Sequence, residues 1–286
     1  MKALWLIPFL FSPVIEAQLL QAIVGQQPAG TLSYDFTTGS LPAGTSLTRS
    51  SNGTYLDNSG VLQTASSNVA RFQYVSGTPY LLYEPAATNL LKQSNGFTTT
   101  WFTQNSAVAT ANQFTSVDGT NDGWSVTSGS GFGAVAQSVT VAATTYAFSV
   151  WCKRITGSAP IVFYWAGNSW GAFTTSSTLT RYTGTGTSTS GAANMAIAVN
   201  AVTGNTNGLF GAQLETGTVA TSYIVTTTGT GNRSADQLTF TIPAGIGHLT
   251  VTFSDNTTQS IAVSPGSYTL TNALNEYLIK TIVGSA

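Results

Sequence analysis

Proteins hold sugars by laying their C–H faces on Trp or Tyr rings while amides and carboxylates take the hydroxyls. One stretch of this 286-residue chain has the side chains for that chemistry: Trp151, Tyr164, Trp165 and Trp170 fall close together, with Asn168 between the last two. Tyr146, Phe148, Val150 and Cys152 alternate with Ala147, Ser149, Trp151 and Lys153, the pattern of a strand buried on one face, so Trp151 is expected on the opposite face as an exposed platform. The competing expectation is that these rings fill a second apolar layer or a subunit contact, as aromatic residues often do. Trp101 and Trp124 flank turns and read as lids on a core.

Other chemistries find little support. One cysteine, Cys152, and one histidine, His248, exclude an intrachain disulfide, a site with two imidazoles and a Cys-based zinc centre. His248, between Gly247 and Leu249 at a strand start, reads as a turn histidine with no triad assigned to it. Ten acidic residues scattered along the chain select no glycosidase pair. Asp118-Gly119-Thr120-Asn121-Asp122-Gly123 spaces oxygen ligands like a calcium loop but lacks the later bidentate Glu, and reads as a double turn. Glycine-rich stretches lack the Lys-Ser/Thr ending of a phosphate loop. Charged residues are 7% of the chain and the net charge is −1, so there is no basic footprint for nucleic acid. No cofactor, metal or catalytic residue is assigned.

The elements that would position the rings are strands. Ser and Thr number 78, joined by 29 Gly and 11% aromatics, a composition that suits sheets with hydroxyl-rich faces and glycine turns. From Thr31 onward the apolar period is two, and turn pairs recur: Asn52-Gly53, Ser59-Gly60, Asn95-Gly96, Asp118-Gly119 and Asp122-Gly123. Val135, Val139 and Val141 mark a second strand. The expectation is an all-β chain with a jelly-roll-type sandwich of two antiparallel sheets over 31–228. The low-complexity run from Thr183 to Gly191 is expected to be a loop, and Thr226-Thr227-Thr228-Gly229-Thr230-Gly231 a linker. Residues 229–286 then form that linker and a small β domain with strands around Leu238/Phe240/Ile242, Leu249/Val251/Phe253 and Ile261/Val263. At about fifty residues such a unit buries a marginal core, and Tyr277, Leu278, Ile279, Ile282 and Val283 stay apolar, so a closed homo-oligomer, a trimer foremost, is expected.

Residues 1–30 read differently. Lys2 is followed by Ala3-Leu4-Trp5-Leu6-Ile7-Pro8-Phe9-Leu10-Phe11, with the charged start and short apolar run of a secretory signal but too short to span a bilayer. Ile15, Glu16 and Ala17 suit cleavage poorly, which favours a retained docking arm against another protein. Leu19, Leu20, Ile23 and Val24 follow at helical spacing, giving a short partly helical arm.

Several blocks resemble a pattern shared by tailed-bacteriophage fibre and minor virion proteins: Tyr34-Asp35-Phe36-Thr37-Thr38-Gly39, Leu47-Thr48-Arg49-Ser50, Ala70-Arg71-Phe72, Leu81-Leu82-Tyr83-Glu84, Ala87-Thr88-Asn89-Leu90-Leu91, Gly211-Ala212-Gln213-Leu214-Glu215 and Arg233-Ser234-Ala235-Asp236. The region they bracket is similar to the carbohydrate-binding-module sandwiches of such proteins. The resemblance implies a non-enzymatic virion component, a tail or neck fibre contacting host surface glycan, joined to other virion proteins through residues 1–30. A head fibre or capsid-decorating protein is the rival, and a secreted polysaccharide hydrolase a third. Read on their own chemistry, the same blocks are architectural. Asn89 and Gln213 offer amides to neighbouring backbone, and the scarce Arg49, Arg71 and Arg233 are expected to pair with Asp57, Glu84, Glu215 or Asp236, because buried charges must be paired.

Overall fold

The computed structural model describes residues 30–129, 131–158, 160–199 and 203–286. The expected arm, its short helix and the signal-like run lie, but for Gly30, outside them. The described residues form strands and turns with no helix, so none is long and apolar enough to cross a membrane.

Ten strands make the sandwich. The back sheet orders them Thr180–Thr187, Thr145–Thr156, Thr206–Thr216, Gly123–Thr127 and Val108–Phe114; the front sheet orders them Asn168–Phe173, Ile161–Trp165, Gly191–Val199, Gly133–Val141 and Phe102–Gln104. Every pairing is antiparallel. Gly123–Thr127, Gly133–Val141, Thr145–Thr156 and Ile161–Trp165 fall alternately in the two sheets, the jelly-roll habit of crossing the sandwich at successive turns. Period-two alternation places Phe148, Val150 and Cys152 from the back sheet against Val135, Ile161, Phe163, Met195 and Ile197 from the front, and this is the main core.

The run expected as a loop is instead largely strand, Thr180–Thr187, paired to Thr145–Thr156 in register from Tyr146↔Gly186 to Cys152↔Thr180. Its glycines serve packing rather than turning. A Cβ on Gly186 would lie 2.2 Å from Trp170 Nε1, and one on Gly184 2.7 Å from the Trp170 carbonyl oxygen. Alternate glycines open the space into which Trp170 packs, and Trp170 in turn stacks on Trp165 (5.6 Å, 19°) and Tyr146 (6.5 Å, 7°).

Strand pairing does not follow the expected division into 31–228 and 229–286. Leu278–Ser285 pairs with Ser33–Asp35 and Thr78–Leu82, and Gln237–Ile242 pairs with Ser46–Thr48. One apolar core joins Leu32, Phe36, Leu47, Leu81 and Tyr83 to Leu238, Phe240, Leu249, Val251, Phe253, Ile279 and Ile282. The two ends of the chain therefore build one β unit, and the sandwich is inserted between them. The Thr/Gly-rich stretch read as a linker is where the chain returns: Gly231–Arg233 pairs with Ala87–Asn89, closing the insertion at its base. Of the apolar residues that called for a second subunit, Ile279 and Ile282 are fully buried against the chain's own N-terminal strands, while Val283 is 43% exposed.

Candidate functional site

The five residues expected to bind glycan do not converge. Trp151 has the expected parity but is 4% exposed, because the chain after Thr206–Thr216 folds back over that face. Its ring meets Tyr223 (5.5 Å) and Phe210 (5.9 Å) edge-on and lies under the Arg181 guanidinium at 4.7 Å. Gly211, at φ +65°, makes the local bulge, and a Cβ there would sit 3.0 Å from Trp151 and 3.2 Å from Tyr223. Trp165 and Trp170 are buried in the main core. The exposed platform predicted at Trp151 is thus corrected to a second apolar layer on the back sheet. Asn168 is exposed at a two-residue hairpin whose central residues, Ala166 (φ +49°) and Gly167 (φ +84°), both take the left-handed conformation of a type I′ turn. Trp170, 9% exposed, borders a concave surface beside Phe173 and Thr183, while Tyr164, half-buried, lines a separate one.

That surface is the outer face of the front sheet. Register aligns Gln104, Ala134, Ala198, Val162 and Ala172 in one row across it, and Phe102, Ala136, Ala196, Tyr164 and Ser169 in the next, followed by Ser138 beside Asn194. Ala134, Ala136, Ala196 and Ala198 form a small buried apolar layer here with Val162, and Tyr164 packs against it. Phe132, 45% exposed, meets Tyr164 edge-on with centroids 6.4 Å apart, and Asn105 donates to the Phe132 carbonyl oxygen at 2.8 Å. With Gln104, Asn194 and the Ala166-Gly167 turn, these residues line a groove of about 490 Å³, within the range of small-ligand sites. Sequence reading selected Tyr164 but missed the rest. The available signal was the run Ala192-Ala193-Asn194-Met195-Ala196-Ile197-Ala198-Val199, whose alternation puts Met, Ile and Val inward and leaves only small side chains outward.

The charged residues gather at the base of the insertion. Asp236 accepts from Arg49 Nη1 (2.9 Å) and Arg71 Nη2 (2.6 Å), while Glu84 pairs with Arg71 Nη1 (2.9 Å) and Arg233 Nη2 (3.5 Å). None of the five is more than 2% exposed. The backbones of Glu84 and Asp236 are also hydrogen-bonded, and the Ser222 amide and hydroxyl donate to Glu84. Burial drives the Glu84 pKa upward, but Arg233, Arg71 and the Ser222 hydrogen bonds together outweigh it and hold the carboxyl below its ordinary value. Glu215 has no ion pair within reach among the described residues; it accepts from Gln213 and Thr221, and burial pushes its pKa up. Asp57 is no partner of arginine: it caps its own turn, accepting from the Ser59 and Val61 amides and from Gln63. Asn89, fully buried, donates to the Ala212 and Ile224 carbonyls and accepts from the Leu91 and Leu214 amides, and Gln213 accepts from the Ile224 amide. These conserve backbone pairing where the insertion meets the second unit.

The remaining chemistry is local. The Asp118 carboxylate is taken up within its turn by Ser116 and Thr120, and no cluster of three metal-ligating side chains occurs among the described residues. Gly167-Asn168-Ser169-Trp170-Gly171 has the spelling of a nucleophile elbow, which needs a strand-to-helix turn. Here Ser169 lies in an antiparallel hairpin, while His248 belongs to the other unit, on a strand paired to Ala262 and Ser285. Cys152 is buried in the core, which pushes its thiol pKa up and makes it unreactive.

No protein-family model matches the sequence, and no curated protein matches it. Among solved structures, the CBM22-1 xylan-binding domain of Paenibacillus barcinonensis Xyn10C is similar over 46% of this chain and 94% of its own, with 15% identity and a TM-score of 0.36. The enzymatically active domain of bacteriophage CBA120 tailspike protein 4 is similar over 44% of this chain and 21% of its own (10% identity, TM-score 0.34). A family 35 carbohydrate-binding module from Clostridium thermocellum is similar over 40% of this chain and 90% of its own (16% identity, TM-score 0.29). Likeness at this level carries no argument about ligand or ancestry.

Proposed function

We propose that this chain is a non-enzymatic component of a phage particle, a tail or neck appendage whose sandwich holds host surface glycan in the front-sheet groove. The observation that carries the binding half is the groove itself: two aromatic rings, side-chain amides and small apolar side chains on one face of the front sheet. The virion half rests on the sequence blocks, whose residues build the charge cluster and the base of the insertion. Attachment through residues 1–30 and assembly as a trimer belong to the same proposal. The self-sufficient core of the second unit removes one reason for an oligomer and leaves the exposed sheet edges as the other.

Tyr164→Ala tests the binding half. The ring is half-buried and outside the main core, so the variant keeps its melting temperature while affinity for host-cell envelope falls at least about tenfold, the equivalent of 1.4 kcal/mol. Unchanged binding would favour the rival reading, a head fibre or decorating protein without receptor role. Labelling of purified particles with antibody against this chain tests the virion half, and particles free of the chain would refute it.

A further inference from the structure

We infer that the groove is built for an uncharged stretch of glycan and discriminates against acidic chains, an inference that rests on the glycan-binding reading above. Among its described lining residues there is no Lys, Arg, His, Asp or Glu. The polar groups that remain are the amides of Gln104, Asn105 and Asn194 and the phenol of Tyr164. A uronate or sialyl carboxylate seated there would lose water and gain no cation, and desolvating an unpaired charge is the costliest event in a binding site. A neutral pyranose loses only hydroxyl hydration, which amides restore, and gains ring contact.

The alanine layer strengthens the point. Elsewhere this chain writes Thr and Ser on outward strand positions: Thr183, Thr185 and Thr187 on the back-sheet edge, and Thr250 and Thr252 in the second unit. The two central strands of the front sheet instead place Ala134, Ala136, Ala196 and Ala198 on this face, where they are buried. Alanine keeps this layer thin and apolar between Tyr164 and Gln104 and puts no charge under the groove.

The test uses the full chain and calorimetric titration with two sets of probes: the neutral hexaoses of mannose, xylose and N-acetylglucosamine, and the acidic hexamers of galacturonate and guluronate. At least one neutral hexaose is expected to bind, with affinity changing less than twofold between about 0.02 and 0.5 M NaCl, lowered at least tenfold by Tyr164→Ala, and with every acidic hexamer at least tenfold weaker. Asn194→Lys, at an exposed position on the groove, should then raise affinity for the acidic set and make it salt-sensitive. Acidic hexamers bound as tightly as neutral ones, with the loss in Tyr164→Ala intact, would overturn the charge inference and leave the glycan reading standing. Binding of neither set, or binding indifferent to Tyr164→Ala, would overturn both.

Discussion

Asp236→Ala should be among the most damaging single changes in this protein. Asp236 is fully buried and holds two guanidiniums and the Glu84 amide at once, at 2.9, 2.6 and 2.9 Å. Without it, Arg71 keeps Glu84, the Thr54 carbonyl and the Ser222 hydroxyl, but Arg49 keeps only the backbone carbonyls of Ser51, Ser66 and Ala65. Three buried arginines would then face one ion-paired carboxylate, and breaking a buried pair from one side costs about 3–5 kcal/mol. Against a total stability of about 5–15 kcal/mol, that is roughly a fifth at the least and all of it at the most. For a chain of this size each kcal/mol moves the melting temperature by about 2–4 °C, so a fall of roughly 6–20 °C is expected by differential scanning calorimetry. Arg49→Met added to Asp236→Ala should recover part of the loss, because it removes the guanidinium left without a counter-ion. A shift below about 2 °C in the single variant, or no recovery in the double, would refute the view that this cluster fastens the insertion to its base.

Three further outcomes follow from the same contacts. Ala166→Asn places the preferred Asn-Gly pair in a type I′ hairpin where alanine sits at φ +49°, and should stabilise by about 0.5–1 kcal/mol, read as a higher urea midpoint. Gly186→Ala drives a Cβ into the Trp170 ring and should cost about 1–3 kcal/mol, with the near-ultraviolet tryptophan signal altered. Glu84 and Glu215 should give pH dependences of opposite sign in urea titrations. The Glu84 carboxyl lies below its ordinary value of 4.5, so its contribution is present above that pH and lost as acid protonates it, and Glu84→Gln should flatten the acid limb. Glu215 lies above 4.5, so its contribution is present below that pH and lost as pH rises, and Glu215→Gln should gain on wild type across that rise.

Strand identity was legible wherever one face is apolar and the other is not. Leu238/Phe240/Ile242 and Leu249/Val251/Phe253 alternate as written and bury as written. What alternation cannot say is what lies over the other face. Trp151 has the outward parity, yet Tyr223, more than seventy residues later, closes over it. Gly184 and Gly186 read as loop composition because the ring that needs their missing side chains is on another strand. Within the groove, the alanine alternation was local and readable; Phe132 reaches it from a connection between the two sheets, and no spacing announces that. The pairing of Ser33–Asp35 with Leu278–Ser285, across nearly the whole described chain, was invisible for the same reason.

The closing of the two chain ends into one unit sets an order on biosynthesis. As the polypeptide leaves the ribosome, Ser33–Asp35 and Ser46–Thr48 emerge without their partners and Thr78–Leu82 with only Phe72–Val75 beside it, since the remaining partners lie within residues 237–285. The sandwich, complete once Thr206–Thr216 is out, can condense while both halves of its platform are still apart. Only the last strand, Leu278–Ser285, joins Ser33–Asp35, Thr78–Leu82 and His248–Phe253 into one sheet. A nascent chain stopped short of Leu278–Ser285 would carry a finished sandwich on an unfinished, aggregation-prone base. Quality control thus falls on Leu278–Ser285: a molecule with a folded base has, of necessity, been translated through that strand.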